Sequence, residues 1–163
     1  MYSIQLAEKN DLEDFHKIIV SRCKWLESNK INQWKTLSYP VRYNIPYFEK
    51  QMEENKLFVV KKGKSILGGF LLKEEDSKYW SDCNKVKAYY IHHFATKIGE
   101  KGLGKIMIAF AIKEAKKNKK EYLRLDCVAH NQKLNNYYQE LGFEYIGNIQ
   151  INNLIENLWQ MKM

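Results

Sequence analysis

The sequence is poor in several things, and each shortage closes off a class of protein. Its three cysteines, Cys23, Cys83 and Cys127, are odd in number and widely spaced. That argues against a disulfide framework or a cysteine-rich zinc site and for a reducing, cytoplasmic setting. Only three of the 27 basic residues are arginine, namely Arg22, Arg42 and Arg124. Base-reading and bidentate phosphate clamps lean on arginine, so direct nucleic-acid readout is disfavoured even at a formal net charge of +8. No apolar run approaches the ~20 residues of a membrane span. Met1–Gln5 lacks a charged-then-apolar leader pattern. Neither a repeat, a low-complexity tract nor a linker interrupts the chain.

What is present fits one soluble domain spanning 1–163. Hydrophobic residues make up 45% and charged residues 28% of the 163, enough for a real core. The positive balance favours anionic partners in general. The lysines are spread along the chain, and their one cluster, Lys113 to Lys120, has the look of a solvated helix end.

Ser3 to Leu6 alternates as a first strand. Asn10 or Asp11 caps a helix to about Leu26, with Leu12, Phe15, Ile18, Ile19 and Cys23 on one face. Glu27 to Tyr43 reads as irregular and aromatic, with Pro40 arguing against a helix there. Pro46 suits the first turn of a second helix over about 47–55. Lys56–Lys62 and Ser65–Leu72 flank Gly63 as a hairpin, and Lys73 to Lys85 reads as a loop. Val86–Ala95 is the central strand, followed by a helix within Gly102–Asn118. The apolar residues of that helix, from Ile106 to Ile112, wrap nearly all round, which predicts burial on more than one side. Glu121–Val128 is a strand, and Asn131 caps a helix carrying Leu134, Tyr137, Tyr138 and Leu141 at helical spacing. Gly142 suits the left-handed residue that ends it. Phe143–Ile151 and about 157–162 close the chain. The order βααβββαβαββ predicts an α/β domain with a mixed sheet.

Two constellations carry chemistry. The loop Gly99-Glu100-Lys101-Gly102-Leu103-Gly104-Lys105 joins the central strand to a helix. Its glycine spacing matches neither a P-loop nor the dinucleotide fingerprint. Glycine lets a ligand approach the backbone, and the unpaired N–H groups and dipole of a helix start favour an anion. By itself the loop reads equally as a diphosphate cradle, with Lys101 and Lys105 adding charge, or as a tight turn. The second constellation is Asn131, Leu134, Tyr138, Gly142 and Phe143. Spacing alone makes Tyr138 a core aromatic and Asn131 a helix cap.

Together, in this order and with strands between, the two resemble the GNAT superfamily of acetyl-CoA-dependent N-acetyltransferases. The resemblance covers essentially the whole chain and is strongest from Ser65 to Phe143. The family motif Gln/Arg-x-x-Gly-x-Gly/Ala falls on Gly99 to Gly104, and Gly99 departs from it. What the resemblance implies is a mostly antiparallel mixed sheet flanked by helices. It further implies that the pantetheine arm of acetyl-CoA pairs with the backbone at Phe94, Ala95 and Thr96. The diphosphate would sit on Lys101, Gly102, Leu103, Gly104 and Lys105, and Asn131 would bond the cofactor arm. Tyr138 would protonate the leaving thiolate, as a phenol with pKa near 10 can.

The acceptor must be a neutral amine, and an alkylammonium is neutral only on the order of 0.1% of the time at pH 7. A base therefore helps. Relatives with histidines on this strand place them at positions matching Tyr90 and His92. His92 is the candidate base and His93 the alternative, because strand alternation sends the two to opposite faces. A plainly structural pair is the competing reading. A backbone N–H near Ala95 would stabilise the oxyanion. Cys127 reads as core, and no metal site is expected. Trp25, Trp34 and Tyr39, with Tyr43 and the 152–156 region, are the stretch that holds the acceptor in relatives. Their aromatic walls suit a small cationic amine.

The function expected is direct acetyl transfer to the primary amine of a small molecule, with no nucleic-acid or membrane partner. A homodimer is compatible with it, since relatives often dimerise. Two other classes remain: an acyl-CoA-binding domain that has lost catalysis, which would explain Gly99, and a basic nucleic-acid-binding module, which would need a lysine stripe on one face.

Overall fold

The structure, a computed structural model, describes residues 1–163. In chain order it forms β1 (Ser3–Leu6), a single 3-10 turn (Lys9–Asp11), α1 (Leu12–Ser28), α2 (Tyr39–Arg42), α3 (Ile45–Glu53), β2 (Leu57–Lys62), β3 (Ser65–Lys73), β4 (Ala88–Thr96), α4 (Leu103–Lys117), β5 (Tyr122–Val128), α5 (Gln132–Glu140), β6 (Glu144–Ile151) and β7 (Leu154–Lys162). The seven strands form one sheet in the order β1-β2-β3-β4-β5-β7-β6. The β1–β2, β2–β3, β5–β7 and β6–β7 ladders are antiparallel, and β4–β5 is parallel. The mixed, mostly antiparallel sheet flanked by helices is the expected fold. No helix is long and apolar enough to cross a membrane.

The chain divides into two compact units. The first comprises Met1–Leu72 and His93–Ile108. Its core forms where the apolar stripe of α1 (Leu12, Phe15, Ile19, Cys23) meets Phe48 of α3 and Leu57, Val59 and Leu71 of the strands. Phe15 and Phe48 meet edge to face at 5.1 Å, the arrangement that ring quadrupoles favour. Gly69 makes room for Phe15: a Cβ there would lie 2.7 Å from its ring. The start of α3 follows from local chemistry, since Asn44 Oδ1 accepts the Tyr47 N–H at 3.0 Å and Pro46 sits in the first turn. Within the stretch read as irregular, Tyr39–Arg42 forms one helical turn, α2, with Pro40 in its opening positions. Proline breaks a helix interior but costs nothing at its start, where the missing N–H has no partner to lose.

The second unit comprises Lys73–His92 and Ala109–Met163. Its loop from 74 to 87 is held by Arg124 of β5. The buried guanidinium forks onto Asp82, Nη1 to Oδ1 at 2.9 Å and Nη2 to Oδ2 at 3.1 Å. It also donates to Tyr90 Oη at 3.2 Å and lies 4.3 Å from the Trp80 ring centroid. Burial works against that charge, but the bonds to Asp82 and Tyr90 outweigh it and raise the Arg124 pKa. The same bond holds the Asp82 carboxyl below its usual range.

Helix α4 departs from expectation. Leu103, Met107, Ile108, Ala111 and Ala115 are buried, whereas Ile106 is 40% exposed and Ala109 is exposed. Its apolar residues thus outnumber the positions that a single buried stripe uses.

Candidate active site

In the first unit the end of β4, the glycine loop and the start of α4 are consecutive. Gly68 of β3 lets β4 come close: a Cβ at Gly68 would lie 2.8 Å from the Ala95 carbonyl oxygen and 3.3 Å from Thr96 Cα. The Thr96 carbonyl and Oγ1 accept from Arg22 Nη2 at 2.5 and 3.1 Å. Phe94 is half-buried, against Phe70 at 5.9 Å, and Ala95 is buried. Gly99 and Gly102 have φ of +92° and +79°, which L side chains rarely adopt, and a Cβ on either would meet nothing within 4 Å. Both glycines therefore serve backbone conformation, and the space outside them is open. The first bond into the helix runs from Ile106 N–H to the Gly102 carbonyl at 3.4 Å. In a helix the N–H groups before that point, here on Leu103, Gly104 and Lys105, have no partner in their own helix. Lys101 and Lys105 are exposed beside them. This set suits a diphosphate: amide donors, the positive end of a dipole and two ammonium groups.

His93 also belongs to this unit. Its backbone is left-handed, with φ +51°, inside β4. Its ring is buried between two phenols, Nδ1 at 2.6 Å from Tyr39 Oη and Nε2 at 3.1 Å from Tyr47 Oη. Tyr43 and Phe48 pack on it edge-on. Of the residues expected to hold an acceptor, Tyr39 touches His93 and stacks on Trp34 at 4.6 Å, both half-buried against the core. Trp25 is 37% exposed, with the Arg22 guanidinium 5.3 Å from its ring centroid.

His92 lies in the second unit among carboxylates. Its Nε2 is 3.0 Å from Asp76 Oδ2, an ion-pair distance whose angles fall outside those of a good hydrogen bond. Asp126 completes a trio whose donor atoms all lie within 4.8 Å of one another. Strand register explains the meeting: Tyr90 pairs with Arg124, so His92 and Asp126, each two residues on, share a face. Burial pushes the Asp126 carboxyl up to about 6, partly offset by His92. Burial and then Asp126 push Glu156 up to about 7.

On the opposite face of β5 and β7 stands α5. Asn131 caps it, its Oδ1 accepting the Leu134 N–H at 3.2 Å. Buried Asn135 receives Cys127 Sγ at 3.3 Å, Asn157 Nδ2 at 2.8 Å and Trp159 Nε1 at 3.0 Å on its Oδ1. Its Nδ2 donates to the Val128 and Asn131 carbonyls at 3.0 and 2.9 Å. Tyr138, one turn on, is buried against Phe143, and burial raises its pKa well above the ordinary phenol value. It is therefore protonated at neutral pH. Cys127 is buried with its thiol pushed up to about 12, an inert core thiol as expected.

Asp76, Asp126, Glu156 and Asn135 escape a sequence reading. The carboxylates come from three separate segments and carry no spacing signal. Asn135 occupies the 131-135-138-142 stripe of α5, where a count of apolar residues overlooks it.

Residues 20–143, more than half of the chain, match the family model described as acetyltransferase (GNAT) family. An uncharacterized N-acetyltransferase of Bacillus subtilis, YesJ, is 27% identical over 147 residues, covering 86% of this chain and 81% of that protein. Among solved structures, a GNAT-family acetyltransferase from Listeria monocytogenes superposes with a TM-score of 0.82 at 22% identity, over 99% of this chain and 95% of that one. PaiA N-acetyltransferase from Thermoplasma acidophilum, solved in complex with coenzyme A, gives 0.79 at 16% identity, over 100% and 99%. At these identities the structural likeness speaks to the fold alone.

Proposed function

The chain belongs to the acetyltransferase (GNAT) family, and from that premise we propose that the whole of it acts as one N-acetyltransferase domain, using acetyl-CoA to acetylate the primary amine of a small molecule. Acetyl-CoA supplies an activated acetyl thioester. The first turn of α4, with Gly102, Leu103, Gly104, Lys101 and Lys105, holds the diphosphate, and the backbone of Phe94, Ala95 and Thr96 lines the pantetheine arm. Asn131, whose Oδ1 caps α5, bonds the same arm. The Arg or Gln common at the Gly99 position is replaced by a residue whose φ of +92° favours glycine, so the amides carry the phosphate load here.

The observation that carries a transferase reading, rather than mere cofactor binding, is His92 set 3.0 Å from Asp76. A carboxylate on one imidazole nitrogen fixes the ring and stabilises the imidazolium that forms when it takes a proton. His92 removes the proton of the acceptor amine as its nitrogen bonds to the acetyl carbon and the C–S bond breaks. Tyr138, held protonated by burial, returns a proton to the thiolate. His93, enclosed by Tyr39 and Tyr47, orders the aromatic cluster instead. Thiol release across an amine panel, with coenzyme A binding followed by calorimetry, tests the reading. Binding without release for any amine would favour the alternative that Gly99 motivates, an acyl-CoA-binding domain without catalysis; no binding would overturn both. Tyr138→Phe should bind cofactor and lose turnover, and unchanged turnover would remove it from the acid role.

A further inference from the structure

The carboxylates on the face that His92 shares outnumber what a base requires. Asp76 alone can orient the imidazole: its side chain is 7% exposed and its Oδ2 faces Nε2. Asp126 and Glu156 remain. Val128 pairs with Glu156 and Asp126 with Leu158, so Asp126 and Glu156 stand on one face of β5 and β7. Leu125–Trp159 and Cys127–Asn157 turn to the other face, where Asn135 meets Cys127, Asn157 and Trp159. Glu156 is 9% exposed, and its side chain makes no hydrogen bond or ion pair. Besides His92, the cation acting on these two carboxylates is Lys78, which is exposed and bridges neither; Arg124, on the same face of β5, is taken up by Asp82. In a chain of net charge +8, the concentration of acid around the base is a local reversal of sign.

A buried carboxylate without a partner is costly; it keeps its proton or acquires a cation. A monoamine reacting at His92 leaves Glu156 as it was. An acceptor bearing a second ammonium group supplies the missing partner through charge-assisted hydrogen bonds. Resting on the transferase reading above, we propose that the acceptor is a dication: one amine reacts at His92 while a second ammonium group of the same molecule is held by Asp126 and Glu156. The second amine undergoes no chemistry. It positions the first and sets specificity.

The test compares diamines of three to five carbons with monoamines of the same chain lengths, by thiol release under saturating acetyl-CoA. The best diamine should exceed its matched monoamine in kcat/KM by about tenfold to a hundredfold, the size of one charge-assisted hydrogen bond, mainly through KM. Glu156→Gln, which removes an unpaired buried charge and keeps the shape, should collapse that ratio towards one. Calorimetry of diamine and monoamine on coenzyme A-saturated protein reads the same preference without turnover. Release from both amine classes at equal efficiency overturns the dication and leaves the transferase standing. If no amine is acetylated, the transferase reading fails, and the calorimetric preference with its loss in Glu156→Gln decides the site by itself. Zinc binding tighter than diamine binding, lost in Asp76→Asn, would make the cluster a metal site and overturn the proposal.

Discussion

Replacing Asn135 by alanine should destabilise the protein more than any single surface change, and the size can be worked out bond by bond. The Val128 carbonyl also accepts the Asn131 N–H at 3.2 Å, and the Asn131 carbonyl keeps the Leu134 and Asn135 backbone N–H groups, so neither is orphaned. Asn157 is half-buried and can turn to water, and the Cys127 thiol is a weak donor. The group left stranded is the Trp159 indole N–H, buried with Trp159 at 5% exposure. One orphaned buried donor costs about 1–3 kcal/mol, and each other lost bond about 0.5–1.5. Because the other partners stay satisfied or turn to water, the low end of these ranges applies, roughly 3 kcal/mol, or about 6–12 °C in melting temperature for a chain of this size. Urea unfolding followed by tryptophan fluorescence measures it. A double-mutant cycle with Trp159→Phe isolates the stranded donor: in that background Asn135→Ala should cost about 1–2 kcal/mol less. A loss below about 1 kcal/mol, or a cycle without coupling, would refute the role given to Asn135.

Gly68→Ala should push β3 from the end of β4, because its Cβ meets the Ala95 carbonyl oxygen at 2.8 Å; a loss of about 1–3 kcal/mol is expected, with weaker coenzyme A binding by calorimetry. Glu156, at about 7 against an ordinary 4.5, carries more proton in the folded than the unfolded state between those values, so its contribution falls as pH rises from about 4.5 through 7. The loss is up to roughly 3 kcal/mol, and urea midpoints at pH 5 and pH 8 should show a steeper decline for wild type than for Glu156→Gln. His92→Ala should cut turnover at pH 7 by about 10²–10⁴. Because the neutral fraction of an alkylamine rises about 100-fold from pH 7 to 9, the deficit should narrow over that range, and a deficit independent of pH would argue against the base.

Strands and helices were legible wherever periodicity met punctuation. Gly63 (φ +60°) makes the hairpin turn and Asn131 caps α5, both as their residue types suggest. The start of α4 was legible because the backbone there takes positive φ at Gly99 and Gly102, which L side chains rarely adopt. Four things were hidden for separate reasons. Tyr39–Arg42 is a helix too short to show a period. The all-round apolar pattern of α4 overstated its burial, since an exposed Ile106 costs little by itself. The alternation that sends His92 and His93 to opposite faces assumes a regular strand, and the left-handed φ at His93 is a tertiary feature that two adjacent histidines do not announce. The carboxylate face was the least legible, because register across three strands and a loop, not spacing along one, brings Asp76 and Asp126 to His92 and sets Glu156 on the same face.

The fork between Arg124 and Asp82 has a consequence for how the protein meets proteases. A connection running from 74 to 87 without strand or helix is the kind of segment that nicking enzymes enter first. Here its midpoint is clamped by a guanidinium lying over Trp80, so the long excursion becomes two short closures, each with less slack to thread into a cleavage site. Trypsin should therefore leave Lys78 and Lys85 intact in the native protein. The carboxylate beside the imidazole, Asp76, is thereby carried on a segment anchored six residues on, at Asp82.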